Sequence, residues 1–328
     1  MTRCLPLPRV PASLFGIILG LSGLGACWRL AHRLWDLPAA IGECLIGASA
    51  IIWVILILLY AAKWLQVRDD AVAELHHPVQ CCFVGLIGVA TMLIGNGVLP
   101  YSRPLAMVLF FPGMLFTLGF ALWRTGLLWQ GDREAAHTTA VLYLPAVAGT
   151  FVAGTAAAAL GYPDWGSLGF GIGFFSWLAI ESVLLHRLYH GPKMPPALRP
   201  TLGIQLAPGV VGAVTYLAVT PGAPSTLAHG MLGYGLFQAL LLLRLTPWVR
   251  EQPFGPSYWA FTFGATALAA TPLIMIEHGD RGMVQVLAPV LFVAANLLVA
   301  VIAIGTVRLL VQGKLIAGPP PAVKTGAV

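Results

Sequence analysis

The stretch Ile51-Ile52-Trp53-Val54-Ile55-Leu56-Ile57-Leu58-Leu59 carries no charged or hydroxyl-bearing side chain. A helix built from it is apolar on every face, which demands protein or lipid on every side rather than water. Outward from this run the same character continues over Pro38–Ala62, long enough for a helix to cross a bilayer core, which takes about 20 apolar residues. Nine further stretches of this kind follow or precede it: Ser13–Leu30, Val79–Leu99, Pro104–Trp129, Thr138–Leu160, Trp165–His186, Leu202–Thr220, Thr226–Leu245, Ser257–Ile276 and Met283–Val311. With 58% hydrophobic and 9% charged residues, the chain has too little charge to coat a soluble globule of 328 residues. The expected class is an all-α integral membrane protein with ten transmembrane helices.

The 18 Lys and Arg residues divide unevenly between the two sets of loops. Arg29, Arg33, Arg103 and Arg281 fall after odd-numbered stretches; all the others lie at the termini or after even-numbered ones. Basic loops resist translocation, so both termini are expected in the cytoplasm. The net charge of +6 is thereby explained by topology, and no basic cluster interleaved with aromatics suggests nucleic acid. A basic start followed by Leu24-Gly25-Ala26-Cys27 has the look of a lipoprotein cleavage box, but cleavage there would leave nine spans and spoil the charge pattern. Short turns on one side (Tyr101–Arg103, Gly161–Asp164, Pro221–Ser225) favour antiparallel pairs. The expected organisation is therefore five helical hairpins: residues 1–12 a cytoplasmic N-terminus, 13–312 the membrane domain, and 313–328 a cytoplasmic, disordered tail.

Chemistry-bearing residues are sparse within the spans. Cys4, Cys27, Cys44, Cys81 and Cys82 show no C-x-x-C spacing, and neither a disulfide framework nor a metal site is expected. His186 and His190 have ligand-like spacing but flank Arg187 at a basic helix end. Ser225 and His229 share a turn with no acid partner apparent. Asp69, Asp70 and Glu74 lack a second acidic cluster for magnesium. No enzyme and no cofactor are expected. Gly16 with Gly20, and Gly85 with Gly88, suit close helix packing or bending. Pro145 and Pro208 are kink candidates, as are Pro112 and Pro289 in even-numbered spans. Glu181 is the main ionisable residue at depth, read either as half of an ion pair with His186 or Arg187 or as a coupling site. Glu43 and Arg29 near the opposite helix ends are expected to pair or snorkel, and Asn96, Gln205, Gln238 and Asn296 to cross-link helices. No deep basic residue suited to gripping a dianion is apparent, which favours a passive path over a tightly binding carrier.

Several motifs occur together and in order: Phe15-Gly16-Ile17 with Leu19-Gly20, Glu74–Val79 (ELHHPV), Thr91-Met92-Leu93 and Tyr143–Ala148 (YLPAVA). They continue with Ser176-Trp177, Glu181, Leu198-Arg199, Leu202–Pro208 (LGIQLAP), Gly233-Tyr234-Gly235, Arg244 with Pro247-Trp248, Trp259–Gly264 (WAFTFG) and Gln312-Gly313-Lys314. This combination resembles the tellurite-resistance/dicarboxylate transporter family, whose relatives include the slow-type anion channels of plant guard cells. The resemblance implies a barrel of five hairpins around a central pore, with odd-numbered helices inside, assembled as a homotrimer in the bacterial inner membrane. It implies a gate at Phe263, with Phe15, Gly16, Phe83, Phe151 and Gly264 facing or flanking the conduit. Ile18 and Gly88 stand where some relatives have prolines, and Thr150 replaces a common asparagine, so pore width and anion preference need not follow the relatives. The function expected from the resemblance is a passive gated channel for small inorganic or organic anions. A carrier of dicarboxylates such as malate, or a tellurite exporter, is the alternative.

Overall fold

The computed structural model describes residues 9–131 and 133–315. The terminal portions 1–8 and 316–328 of the expected cytoplasmic segments, including the expected disordered tail, lie outside the described residues. Among the described residues ten helices are long and apolar enough to cross a membrane: α1 Ala12–Trp35, α2 Ala39–Gln66, α3 Cys81–Val98, α4 Arg103–Trp129, α5 Ala140–Ala159, α6 Pro163–His190, α7 Pro196–Val219, α8 Thr226–Val249, α9 Pro256–Glu277 and α10 Met283–Val311. No strand occurs among the described residues. A short additional helix, Arg68–His76, occupies the α2–α3 connection.

Local chemistry explains the turns. Asp36 ends α1 in the left-handed conformation at φ 55°, its N–H returning to the His32 carbonyl. The Ser102 hydroxyl accepts the Leu105 N–H at 3.3 Å and, with Pro104 in the first turn, starts α4. Gly161, at φ 90°, reverses the chain between α5 and α6, where a side chain would be strained.

Burial separates the helices into two sets. In the apolar window of each odd-numbered helix 67–89% of residues are buried, against 22–33% in each even-numbered one. The odd helices contact one another in the cyclic order α1, α3, α5, α7, α9 and back to α1, and each packs along the even helix that follows it. The even helices turn large apolar side chains outward: Ile51 and Leu58 on α2, Leu122 on α4, Phe175 on α6, Leu240 on α8 and Val301 on α10 are all exposed. That surface, apolar over whole helices, suits a hydrocarbon environment.

Backbone regularity divides the same way. Every even helix is an unbroken α-helix, even through Pro112 and Pro289. Every odd helix changes geometry in its first half. In α1 and α9 a 3₁₀ turn gives way to α-helix at Gly16 and Thr262. In α3 the break falls at Gly85. In α5 a π-helical turn, Leu144–Ala148, contains Pro145; in α7 a 3₁₀ segment ends at Leu206, just before Pro208. Irregular backbone is tolerated in an apolar medium only where protein or a water-filled cavity covers it, and here it is confined to the inner ring. The glycines mark close approach between helices: a Cβ on Gly20 would lie 2.3 Å from Thr262 Oγ1, and one on Gly88 2.2 Å from Thr117 Oγ1.

Candidate functional site

Two cavities lie inside the ring of odd helices. The first is lined only by those helices, through residues of their first halves and middles that include Gly16, Phe83, Tyr143, Phe151, Pro208 and Phe263. The second is lined mainly by their second halves, including Ser22, Arg29, Asn96, Thr155, Thr266 and again Phe263, with Ile46 contributed by α2. The first offers about 50 Å³ to the centre of a water-sized molecule and the second about 160 Å³; a single water needs roughly 10–15 Å³ by this measure. Phe263 and Val211 belong to both walls, so the two cavities adjoin at these residues.

The residues expected at the conduit distribute as follows. Phe263, Gly16, Phe83, Phe151 and Pro208 line the first cavity. Phe15 is buried outside both walls and packs edge-on against Tyr60 at 6.2 Å. Gly264 also lines neither cavity; its α-carbon presses against α7, where a Cβ would meet the Ala207 nitrogen and the Leu206 Cβ at 2.9 Å. Pro145 is buried in the π turn of α5, away from both walls. The threonine hydroxyls of the inner ring mostly turn back onto their own helices: Thr215 donates to the Val211 carbonyl at 2.9 Å, Thr266 to Phe263 at 3.0 Å and Thr271 to Ala267 at 2.8 Å. Of these, Thr266 lines the second cavity, and its hydroxyl is already committed.

Glu181 requires a correction. It has no cationic partner among the described residues. Its carboxylate accepts from the hydroxyls of Tyr143 and Tyr234, from Trp177 Nε1 at 2.9 Å and from Gln205 Nε2 at 2.8 Å. Four donors occupy the acceptor positions a carboxylate offers, tying α5, α6, α7 and α8 together. His186 and Arg187 are five and six positions further along, about 140° and 120° around the helix from Glu181. Arg187 instead donates to the carbonyls of Ala135 and Pro192 at 3.2 and 3.0 Å. Glu181 lines neither cavity, whereas its partner Tyr143 lines the first.

Three other polar groupings differ from or extend the sequence reading. Arg29 pairs with Glu43, Nε and Nη2 donating at 2.8 and 2.7 Å, and Nη2 also reaches the Gly97 carbonyl at 2.9 Å. Tyr101, in the turn before α4, donates to the same carboxylate at 2.7 Å, a bond that raises its own pKa. Arg29 also lines the second cavity, so a basic residue belongs to its wall. His229 does have an acid partner, Asp280 at 2.8 Å. Its Nδ1, however, meets the Ser225 carbonyl, and the Ser225 hydroxyl bonds Tyr216 at 2.9 Å, so the group is not arranged for nucleophilic attack. Of the amides expected to cross-link helices, Gln205 joins α7 to α5 and α6, and Asn296 accepts from Trp28 Nε1 at 2.9 Å across α10 and α1.

The motif ELHHPV has a structural account. Glu74, buried, accepts from Lys63 Nζ at 2.7 Å, from the Ala12 N–H at 2.8 Å and from the Tyr60 hydroxyl at 3.2 Å, so one carboxylate joins the starts of α1 and the α2–α3 connection to α2. His77 Nδ1 accepts the N–H groups of Val79 and Gln80, both at 3.1 Å, and so caps the chain entering α3. Partial desolvation and the neighbouring His137 hold its pKa below the ordinary histidine value.

The sequence signature of the SLAC1 family, described as voltage-dependent anion channel, matches residues 9–307. The chain is 34% identical over 312 residues to a protein of Haemophilus influenzae named tellurite resistance protein TehA homolog, covering 94% of this chain and 93% of that one. It is 24% identical over 252 residues to an uncharacterized transporter of Methanocaldococcus jannaschii, covering 68% of this chain and 71% of that protein. It is 22% identical over 318 residues to the S-type anion channel SLAH3 of Arabidopsis thaliana, covering 91% of this chain and 48% of that one.

Proposed function

The chain belongs to the SLAC1 family of voltage-dependent anion channels, a family of multi-pass membrane proteins that move anions, and from that premise we propose that it is a passive, gated anion channel rather than an enzyme or a coupled carrier. The single observation that carries the reading is the position of Phe263 in the walls of both cavities inside the ring of odd helices. In this account the two cavities are the halves of one conduit, the phenyl ring closes it, and a change of rotamer opens it. A small anion crosses between apolar walls with weak attraction at few points, which favours fast exit over tight binding.

The rest of the arrangement follows the same reading. The five pairs of helices are hairpins crossing the bilayer, with both termini on the cytoplasmic side, a reading the uneven spread of Lys and Arg among the loops supports. The protein resides in the bacterial inner membrane, with lipid against the even helices. By family likeness it assembles as a homotrimer with one conduit in each subunit. The alternative, a proton-coupled carrier of dicarboxylates or an exporter of tellurite, needs a titratable group able to meet the cargo. Glu181, whose four donors hold it behind the wall, does not supply one.

Flux into liposomes separates the possibilities. A channel passes chloride or nitrate down an imposed voltage with no proton gradient. Saturating flux that depends on a proton gradient would establish the carrier instead, and no flux for any anion, in the native protein or with Phe263 removed, would leave a membrane scaffold.

A further inference from the structure

We infer that the second cavity is an anion-binding subsite formed by Arg29 and Asn96, selective for small monovalent anions such as chloride and nitrate. The inference rests on the conduction reading above and deepens it. Of the polar side chains lining this cavity, the hydroxyl of Thr266 donates to the Phe263 carbonyl, that of Thr155 to Phe151 and Thr215, and that of Ser22 is paired with Ser49. These groups have no proton to give. Arg29 differs: its Nε and Nη2 are committed to Glu43 and Gly97, while Nη1 has no protein partner among the described residues. The Asn96 side-chain amide likewise has none among the described residues. Both residues belong to the cavity wall, and neither unpartnered group is sealed away from solvent. Two residues with an uncommitted N–H donor, one of them charged, thus belong to the wall of a space of about 160 Å³ that Phe263 also lines.

Charge placement sets the preference. Glu43 is not part of the cavity wall, and its side chain is twice as exposed as that of Arg29, 35% against 17%. The pair thus presents its positive end inward and its negative end outward. One positive charge, already partly balanced by Glu43, suits a single negative charge and compensates a dianion poorly. Binding of this strength detains an anion without trapping it, which conduction requires. Glu43 and Tyr101 act as positioning residues that hold the guanidinium in the wall.

The test uses the detergent-purified full chain, with chloride or nitrate exchanged for bulky gluconate at constant ionic strength. Ligand that binds only the folded state raises Tm, by about 2 °C or more at tenfold excess over Kd. The expected result is such a rise for the native protein and its loss in both the Arg29→Gln/Glu43→Gln double variant, which removes the two charges together, and Asn96→Leu. No rise in the native protein, or a full rise in either folded variant, overturns the site. A second arm measures current in the Phe263→Ala background, where the double variant should raise the half-saturating chloride concentration at least threefold; an unchanged value there also overturns it. If Phe263→Ala carries no current while the anion-dependent stabilisation persists and depends on Arg29 and Asn96, conduction fails and the binding site stands. If current flows without that dependence, the site alone fails.

Discussion

The α-carbon of Gly264 lies so close to Leu206 that a Cβ at position 264 would sit 2.9 Å from the Leu206 Cβ. This close approach sets α9 against α7 one residue beyond Phe263, which lines both cavities. Gly264→Ala forces the helices apart or strains them, and overpacking of this kind costs about 1–3 kcal/mol. The expected outcome is a lowered Tm together with altered current, because the ring moves with its backbone. Thermal unfolding in detergent and bilayer recording on the same preparation check both.

Lys63 and Glu74 form a buried pair that also holds the start of α1. Removing one partner leaves a charge buried without compensation, a loss of about 3–5 kcal/mol. Glu74→Ala is therefore expected to unfold far more readily than the double variant Lys63→Met/Glu74→Gln. Chemical denaturation monitored by tryptophan fluorescence compares them.

Glu181 is held by four neutral donors on three neighbouring helices and its own. An amide in its place keeps one acceptor oxygen and sets an NH₂ group against groups that themselves donate. Glu181→Gln is expected to reduce stability by about 1–3 kcal/mol yet to retain voltage-driven anion flux in liposomes. Loss of flux in a folded Glu181→Gln protein, with flux in the native protein tied to a proton gradient, would favour the carrier.

His77 supplies a pH dependence. Its Nδ1 accepts two backbone N–H groups, which only the neutral ring can do, and its pKa is lowered in the folded protein. As pH falls through the ordinary histidine value of about 6.5, the unfolded chain takes up the proton first. The contribution of His77 is thus complete above that pH and declines below it. The slope of Tm against pH between 7 and 5 should flatten in His77→Asn, whose side-chain oxygen caps the same N–H groups without titrating.

The membrane-spanning helices were legible because the apolar runs are long and the polar breaks short; Ile51–Leu59 alone excludes a water-exposed helix. The division into buried and exposed helices was not legible in composition, since α1 and α2 are both apolar. It follows from what each helix touches. Phe263 stood out only through likeness to a family, one phenylalanine among 15. The partners of Glu181 were hidden for a different reason: Tyr143, Gln205 and Tyr234 lie 24 to 53 positions away and on other helices, whereas His186 and Arg187 are near in sequence but point elsewhere. Arg29 was recognised as a partner of Glu43, yet its place in a cavity wall depends on α3, α5, α7 and α9 closing around it. No local pattern encodes that closure. Gly16 and Gly85 were legible as packing or bending positions, but the break at Thr262 was silent, because threonine by itself does not end a helix.

The central claim is that the Phe263 ring closes a conduit formed by the two cavities. The most direct measurement is chloride current through purified protein in planar bilayers, comparing the native chain with Phe263→Leu and Phe263→Ala. The account predicts current that grows as the side chain shrinks, largest for alanine and carried by anions. Equal currents from all three proteins, with both variants folded to the native Tm within a few degrees, would contradict it.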